Sequence, residues 1–327
     1  MVKRPEVSII CCTYNHEPYI RDALDSLLAQ KTIFPIEILI HDDASTDNTA
    51  AIIEEYAKAY PQVVKPMYQK ENQYSKGIDV LQVNYERARG KYITFCDGDD
   101  FWIDQYKLQR QYDYLEKTKN CVLSVHASKI VDENGQFVGD LCAPSKMNRF
   151  YDTPELIKRD GNLFVKSSMF FRANVVKNRP SLFMNAPMKD YVFILYLSLF
   201  GQVHFMRDVM SCHRMKAPEF WASAYVASGE LDKQDAQGIG EWLLQFDEWT
   251  NYSFHEAIES KLQANGFIFT QKQNDLKKMD APSLRQMYAT MPLKSKVVLF
   301  VERSLPQLAL TLKRKRMLMY QLLYRRH

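Results

Sequence analysis

The chain lacks most features of secreted, membrane-spanning and metal-scaffold proteins. None of its apolar runs approaches the ~20 residues that a membrane-spanning helix requires. The first apolar run, Val7–Cys12, is too short for the hydrophobic region of a signal peptide. The six cysteines are scattered and form no CxxC pair, which argues against disulfides and against a cysteine metal site. From these absences we expect a cytoplasmic protein with reduced, mostly buried thiols.

An excess of one charge is also missing. The sequence has 43 Lys and Arg against 39 Asp and Glu, and this net charge of +4 is too small for a dedicated nucleic-acid binder. A hydrophobic content of 46% provides a packed core and excludes a disordered chain. The positive charge is concentrated in residues 294–327, which contain nine basic residues and one acid. That segment carries +8, so the rest of the chain carries −4.

Strand and helix patterns alternate through the first half of the chain. Four short apolar runs predict buried strands, and amphipathic segments between them predict helices: strands at Val7–Cys12, Ile36–Ile40, Val63–Tyr68 and Lys91–Cys96, and helices near 18–30, 48–60, 78–89 and 105–117. The Glu133-Asn134-Gly135 turn predicts a hairpin between 121–127 and 130–138. This order predicts an α/β fold with a mostly parallel sheet and helices on both of its faces.

The pattern becomes less regular after residue 150. We predict a strand at Leu163–Phe171, a helix at Lys189–Phe200, and two short strands at Val203–Met206 and Val209–His213. Beyond residue 215 the sequence favours helices, with candidates at Glu241–Lys261 and Leu284–Met291. We therefore predict two regions, a catalytic domain over 1–215 and a helical C-terminal region over 216–327.

Polar clusters follow three of the predicted strands. Thr13-Tyr14-Asn15, Asp42-Asp43 and Asp97-Gly98-Asp99-Asp100 each begin where a strand ends, and ligands of parallel sheets bind at that edge. Solvated turn and cap residues are the alternative reading of such clusters. Gly98 allows a sharp turn that brings the carboxylates of the last cluster together, and converged carboxylates suit Mg²⁺ or Mn²⁺.

Three segments in this order resemble family 2 glycosyltransferases. They are Val7–Asn15, His41–Thr49 and Gly90–Asp100, and the resemblance extends over roughly residues 5–215. It implies a GT-A type, Rossmann-like fold and an inverting enzyme that uses a nucleotide-sugar donor. A UDP-sugar is the donor that we expect, with Mn²⁺ or Mg²⁺ as the cofactor.

The resemblance also implies roles for individual residues. Those expected at the nucleotide are Thr13, Tyr14, Asn15, Asp42, Asp43, Lys76, Asp97, Arg214 and Lys216, and those expected at the metal are Asp99 and Asp100. Among them, Asp43 would accept from the imide N–H of the base and Asp97 would face the ribose. Lys76 is equally well read as an exposed loop lysine, and Lys216 stands where relatives often carry histidine.

Inverting transfer also needs a carboxylate that takes the proton of the acceptor hydroxyl. The resemblance assigns this role to Asp190, which precedes the apolar helix predicted from residue 189. A plain helix cap is the alternative role for this residue, and the two roles are compatible.

The C-terminal segment from Leu305 to Tyr324 mixes leucines with basic residues. An apolar face with a basic flank is typical of a helix on an anionic membrane surface; the alternatives are a solvated basic helix and a helix packed on the body. We therefore expect peripheral attachment to the inner face of the cell membrane. The expected acceptor is a hydroxyl of a glycan or a lipid-linked glycan in cell-surface polysaccharide synthesis.

Two other functions remain open at this stage. One is a nucleotidyltransferase, although Thr13–Tyr19 lacks the glycines of a phosphate-binding loop. The other is a non-catalytic scaffold protein that binds a sugar nucleotide. The intact carboxylates at Asp43, Asp97, Asp99 and Asp190 argue against the scaffold.

Overall fold

A computed structural model describes residues 4–159, 163–184, 186–187, 189–215 and 231–272. The chain divides into two compact units, Met1–Ala217 and Pro218–His327. This division lies two residues beyond the boundary that the sequence suggested.

The first unit alternates strands and helices along its described residues. Its strands are β1 Val7–Thr13, β2 Ile36–Asp42, β3 Val64–Tyr68, β4 Tyr92–Phe95, β5 Phe101–Trp102, β6 Cys121–Val131, β7 Phe137–Cys142, β8 Arg149–Tyr151, β9 Phe170–Arg172 and β10 Gln202–Arg214. Its helices are α1 Ile20–Leu28, α2 Thr49–Ala59, α3 Val80–Arg87, α4 Lys107–Lys117, α5 Thr153–Lys158 and α6 Lys189–Ser198. Two short 3₁₀ turns, Tyr74–Lys76 and Lys166–Ser168, contribute to the site.

All of these strands join one sheet in the order β3-β2-β1-β4-β9-β6-β10-β5, with β7 beside β6 and β8 beside β10. The four strands β1 to β4 pair in parallel, as predicted. From β9 onwards the pairing is mixed, since β9 runs antiparallel to both β4 and β6 while β10 runs parallel to β6. The predicted α/β fold is confirmed, but the sheet is mixed in its second half.

Helices cover both faces of this sheet. On one face, alternate β1 residues such as Ile9 pack with leucines of α1 and with Ile53 of α2 in a continuous buried core. On the other face Phe95 of β4 packs against Phe193 of α6, with ring centroids 6.0 Å apart. Because successive strand residues point to opposite faces, a sheet covered twice needs the continuous apolar runs seen in the sequence.

Two elements differ from the sequence prediction in the first unit. The segment predicted as one strand, Leu163–Phe171, contains the 3₁₀ turn at Lys166–Ser168 and only then enters β9. The two strands predicted between 203 and 213 form the single strand β10, whose register against β6 shifts between Met206 and Val209. A bulge of this kind inserts polar residues into a strand, so the pattern resembles two short strands.

The described part of the second unit contains two helices, α7 Leu231–Trp249 and α8 His255–Lys272. The prediction of one helix over Glu241–Lys261 is wrong, because Asn251 and Tyr252 adopt positive φ angles and end α7. No helix among the described residues is both apolar enough and long enough to cross a membrane. The predicted helix at Leu284–Met291 and the basic segment from Leu305 lie outside the described residues.

Candidate active site

The carboxyl ends of β1, β2 and β4 meet at one edge of the sheet. Thr13 at the end of β1 pairs with Asp42 at the end of β2, and the N–H of Asp43 donates to the carbonyl of Thr13 at 2.9 Å. The N–H of Gly98 donates to the carbonyl of Cys12 at the same distance. These bonds bring together the three polar clusters that the sequence places after separate strands.

The loop after β1 is fixed to the loop after β2. Asn15 has a φ of 53° and its side-chain oxygen accepts from the N–H of Thr46 at 2.8 Å. Its own N–H donates to Ser45 Oγ at 2.9 Å. Tyr14 is exposed beside it, whereas Thr13 is buried and its hydroxyl has no hydrogen-bond partner among the described residues. Asn15 therefore shapes this edge, and Tyr14 presents its ring to solvent.

The two aspartates after β2 are both buried and have separate structural partners. Burial raises the pKa of Asp42, while hydrogen bonds from the hydroxyl and N–H of Ser45 lower it. Asp43 accepts from the N–H of Gln73 at 2.7 Å and from the N–H of Tyr74 at 3.0 Å. Asp42 therefore stabilises the turn that ends at Ser45, and Asp43 stabilises the loop that carries residues 73–76.

That loop reaches the beginning of α6. The ring of Tyr74 lies 5.1 Å from Nζ of Lys189, the first residue of the helix. Lys76 is exposed and contacts Glu71 in an ion pair on the surface. The nucleotide contact expected for Lys76 therefore stays a prediction.

Asp97, the first carboxylate of the acidic motif, forms an ion pair that the sequence did not suggest. Nζ of Lys166 lies 2.9 Å from both Oδ1 and Oδ2 of Asp97. Burial lowers the pKa of Lys166, but the charge of Asp97, followed by those of Cys12 and Asp190, raises it well above its ordinary value. Lys166 is therefore an ammonium group between the acidic motif and the beginning of α6.

Asp99 is a partly exposed carboxylate of the motif. Its Oδ2 lies 3.6 Å from Nε2 of His16, and 29% of its side chain is exposed. Burial raises its pKa, the charge of His16 lowers it, and the neighbouring aspartates raise it further. A repulsive cluster of this kind attracts a cation.

Asp100 is buried and contacts two residues at the end of β10. Its Oδ1 accepts from the N–H of Arg214 at 3.0 Å and lies 3.0 Å from Nδ1 of His213. Burial lowers the pKa of His213, but the hydrogen bond to Asp100 and the charges of the acidic motif raise it to about 9. His213 is therefore an imidazolium at neutral pH, and the pair places a second positive charge beside the motif.

A divalent ion fits this site through one protein carboxylate. No cluster of three or more His, Cys, Asp or Glu among the described residues could hold a metal by itself. Asp99 has open carboxylate oxygens, whereas Asp100 is occupied by Arg214 and His213. Mg²⁺ is often bound by one or two carboxylates together with substrate phosphates, and Asp99 offers that arrangement. The expectation that Asp100 also binds the metal stays a prediction.

Arg214 is buried and its guanidinium donates to protein oxygens on several sides. Nε donates to the carbonyl of Asp99 and Nη1 to the carbonyl of Glu133, both at 2.9 Å. Nη2 donates to Asp22 of α1 at 3.0 Å, and the guanidinium lies 4.6 Å from the ring centroid of Tyr19. These contacts connect the end of β10 to the acidic motif, to the turn at Glu133 and to the first turn of α1. They leave the phosphate contact expected for Arg214 as a prediction without structural support, and Lys216 lies outside the described residues.

Asp190 is the second residue of α6 and is exposed to solvent. The surrounding protein nevertheless raises its pKa by burial; the charge of Lys166 lowers it and that of Asp97 raises it. His213 also acts on it electrostatically. Asp190 therefore lies within electrostatic reach of the acidic motif, although more than ninety positions separate it from Asp97 in the sequence.

The sequence patterns did not indicate two cations near the acidic motif, Lys166 and His213. Lys166 lies in a segment that was predicted as a strand, and no spacing relates it to Asp97. His213 lies beside Arg214, but only the pairing of β5 with β10 brings it to Asp100. The site thus combines carboxylates with interspersed cations, a suitable environment for an anionic substrate and a proton acceptor.

Comparison with known proteins identifies the family. The profile described as "Glycosyl transferase family 2" matches residues 8–177. An uncharacterised protein of Mycobacterium tuberculosis is 33% identical over 265 residues, which cover 79% of this chain and 73% of that protein. An uncharacterised glycosyltransferase of Nostoc is 28% identical over 242 residues, covering 72% of each chain.

A relative with a specific name matches a shorter region. An Escherichia coli protein, UDP-Glc:alpha-D-GlcNAc-diphosphoundecaprenol beta-1,3-glucosyltransferase, is 32% identical over 143 residues, which cover 43% of this chain and 53% of the relative.

Solved structures share the GT-A fold. Residues 1–349 of Staphylococcus aureus TarS with UDP-GlcNAc give a TM-score of 0.57 at 18% identity, covering 91% of this chain and 79% of TarS. A mannosyltransferase from Pyrobaculum calidifontis with GDP-Man and Mn²⁺ gives 0.58 at 16% identity, covering 98% and 86%. The profile match over half of the chain, together with these relatives, shows that the protein belongs to glycosyl transferase family 2.

Proposed function

We propose that the protein is an inverting glycosyltransferase that moves a hexose from a UDP-sugar to a hydroxyl of a glycan or lipid-linked acceptor. The observation that carries this proposal is the contact of Lys166 with Asp97 at 2.9 Å, within electrostatic reach of Asp190 and beside the acidic motif that contains Asp99. Transfer of a sugar from a diphosphate needs a cationic environment for the leaving group and a carboxylate for the incoming hydroxyl. Both kinds of group are present at this site.

The nucleotide would bind at the ends of β1 and β2. Each oxygen of Asp43 accepts one backbone N–H, and a carboxylate oxygen has a second lone pair for the imide N–H of uracil. The exposed ring of Tyr14 would lie against the base, while Thr13, Asn15 and Asp42 shape the pocket. Asp97 would accept from the ribose, because its carboxylate is partly exposed.

The diphosphate would bind beside Asp99. Mn²⁺ or Mg²⁺ held by Asp99 would neutralise the charge that develops on the departing diphosphate. Mn²⁺ accompanies GDP-Man in the mannosyltransferase of the same fold, which supports this assignment. His213 adds positive charge from the protein itself.

Asp190 would act as the base. As the acceptor oxygen forms its bond to the anomeric carbon, the bond from that carbon to the diphosphate oxygen breaks on the opposite face. The hydroxyl proton passes to the Asp190 carboxylate, and the nucleoside diphosphate leaves with the bonding electrons. The raised pKa of Asp190 favours this role, since a base accepts a proton best when its pKa approaches the working pH.

The proposed acceptor and location follow from one relative and from the C-terminal segment. The E. coli relative is named for transfer to a diphosphoundecaprenol-linked sugar. This name supports a lipid-linked or glycan acceptor for the present enzyme. The basic segment from Leu305 to Tyr324 would bring the enzyme to the cytoplasmic membrane surface where such acceptors lie.

The test is turnover of a panel of UDP-sugars with Mn²⁺, measured as UDP release with and without glycan acceptors. Asp190→Asn should abolish transfer and leave UDP binding intact, because the amide cannot accept the proton. Asp99→Asn should weaken the response to Mn²⁺. Asp113→Asn, an exposed α4 aspartate bonded only to Gln109 in the described structure, is the matched control and should stay active. Binding of UDP-sugars without any turnover would favour the scaffold alternative.

A further inference from the structure

Lys166 contacts one carboxylate of the proposed reaction and interacts electrostatically with a second, and the two carboxylates have different partners in that reaction. Its Nζ contacts both oxygens of Asp97, at the end where the nucleotide and diphosphate would bind. It also interacts electrostatically with Asp190, at the end where the acceptor would approach. Because inverting transfer aligns the acceptor oxygen, anomeric carbon and leaving group, the transferred sugar would lie between these two ends.

The turn that carries Lys166 is rigidly anchored. Trp102 Nε1 donates to the carbonyl of Ser167 at 3.2 Å, and Gln111 Nε2 donates to the carbonyl of Ser168 at 2.9 Å. Both serines are buried, and the hydroxyl of Ser168 closes the turn on Val165 at 2.6 Å. A side chain supported in this way binds a ligand without a large cost of ordering.

The ammonium group keeps some donor capacity. Lysine has three N–H donors, and in the described structure Lys166 donates to the two oxygens of the Asp97 carboxylate. One fifth of its side chain is exposed to solvent. The Lys166 side chain is therefore charged and partly exposed, and its contact with Asp97 uses only part of its donor capacity.

We propose that Lys166 is a sugar-contacting residue that selects the donor: one N–H binds an oxygen of the transferred hexose while Asp97 fixes the ammonium in place. This inference rests on the proposed function, since it needs the donor sugar to lie between Asp97 and Asp190. It assigns donor selection to a residue outside the three motifs that carry the family resemblance.

The test separates binding of the sugar from binding of the nucleotide. Kd for UDP and kcat/KM for UDP-glucose, UDP-galactose, UDP-GlcNAc and UDP-GalNAc are measured for wild type, Lys166→Met, Lys166→Arg and the surface control Lys58→Met. Lys166→Met should lower kcat/KM for the best donor by about ten- to a hundredfold, the range for a lost hydrogen bond from a charged group. The affinity of Lys166→Met for UDP should fall much less. Its preference between UDP-glucose and UDP-galactose, and between UDP-GlcNAc and UDP-GalNAc, should become smaller.

Lys166→Arg should recover part of the donor preference, because it keeps the charge and donors at the same place. Lys58 is exposed and pairs with Glu54 along α2, so its variant should behave as wild type. If Lys166→Met does not fold, Lys166→Arg supplies the same comparison through an altered epimer preference at unchanged UDP affinity.

Equal losses for UDP and for UDP-sugars, or an unchanged epimer preference, would overturn the inference and leave Lys166 with a role in positioning Asp97 alone. A wild-type protein that neither binds nor turns over any UDP-sugar would instead remove the proposed function. The two failures are therefore distinguishable.

Discussion

Arg214→Met decides between two roles for the buried arginine at the end of β10. The sequence resemblance assigns it to the diphosphate, whereas the structure shows its guanidinium bonded to the carbonyls of Asp99 and Glu133. Two such charge-assisted bonds contribute about 1.5–3 kcal/mol each. Breaking a buried charged network by removing one partner costs about 3–5 kcal/mol. The exposed carboxylate of Asp22 adds little, because its ion pair is screened by solvent.

For a unit of this size, each kcal/mol corresponds to about 2–4 °C in melting temperature. Arg214→Met should therefore melt roughly 6–20 °C below the wild type, as followed by circular dichroism. Arg214→Lys should restore little of this loss, because an ammonium group cannot reproduce a planar fork between several elements.

The matched control is Arg110→Met. Arg110 is about half exposed and pairs with Asp208 at 3.1 Å on the surface, so its loss should cost less than about 1 kcal/mol. The reasoning would be refuted if Arg214→Met melted like wild type but bound UDP far more weakly, with recovery in Arg214→Lys. That pattern is the one expected of a phosphate ligand.

Three further predictions follow from other parts of the chain. Gly98→Ala places a Cβ 2.5 Å from Thr13 Oγ1, so it should lower the free energy of unfolding by about 1–3 kcal/mol and weaken UDP binding. The control Gly240→Ala, whose Cβ has its nearest contact at 3.5 Å, should do neither. Equal melting temperatures and UDP affinities for the two variants would contradict this. Burial lowers the pKa of Lys107 to about 7, below the ~10.4 of an unfolded lysine, so the unfolded state binds more protons between these pH values. Wild type should therefore gain stability relative to Lys107→Met in urea unfolding as pH rises from 7 to 9, and a constant difference would show that the lysine stays charged. Deletion of residues 305–327 should abolish sedimentation with anionic vesicles, a binding that 0.5 M salt should also weaken; binding that resists salt or survives the deletion would assign the segment another role.

Much of the first unit was predictable because its information is local. The apolar runs of β1, β2 and β4 identify buried strands, since a strand covered on both faces must be apolar throughout. The polar clusters follow these strands directly, and parallel strands bring their carboxyl ends to one edge. The position of Asp43, Asp99 and Asp190 near the candidate site therefore followed from order along the chain together with the family resemblance.

Other features depended on contacts between distant segments. Lys166 meets Asp97 because β9 inserts between β4 and β6, and no periodicity in the sequence records that pairing. His213 and Arg214 meet Asp100 because β5 pairs antiparallel with β10. Arg214 is buried at the end of β10. A residue that resembles a phosphate ligand in sequence therefore donates hydrogen bonds to the carbonyls of Asp99 and Glu133 in the structure.

The sequence by itself determined the α/β class, the parallel strands β1 to β4 and the carboxylates at their ends. Strand burial and turn preference specify those features, and both depend on residues that are close together in the sequence. Only the tertiary structure decided which carboxylates stay open, which are neutralised by Lys166 or His213, and which cation is buried. Electrostatic environment depends on every charge within several ångströms, and those charges come from segments that the sequence keeps far apart.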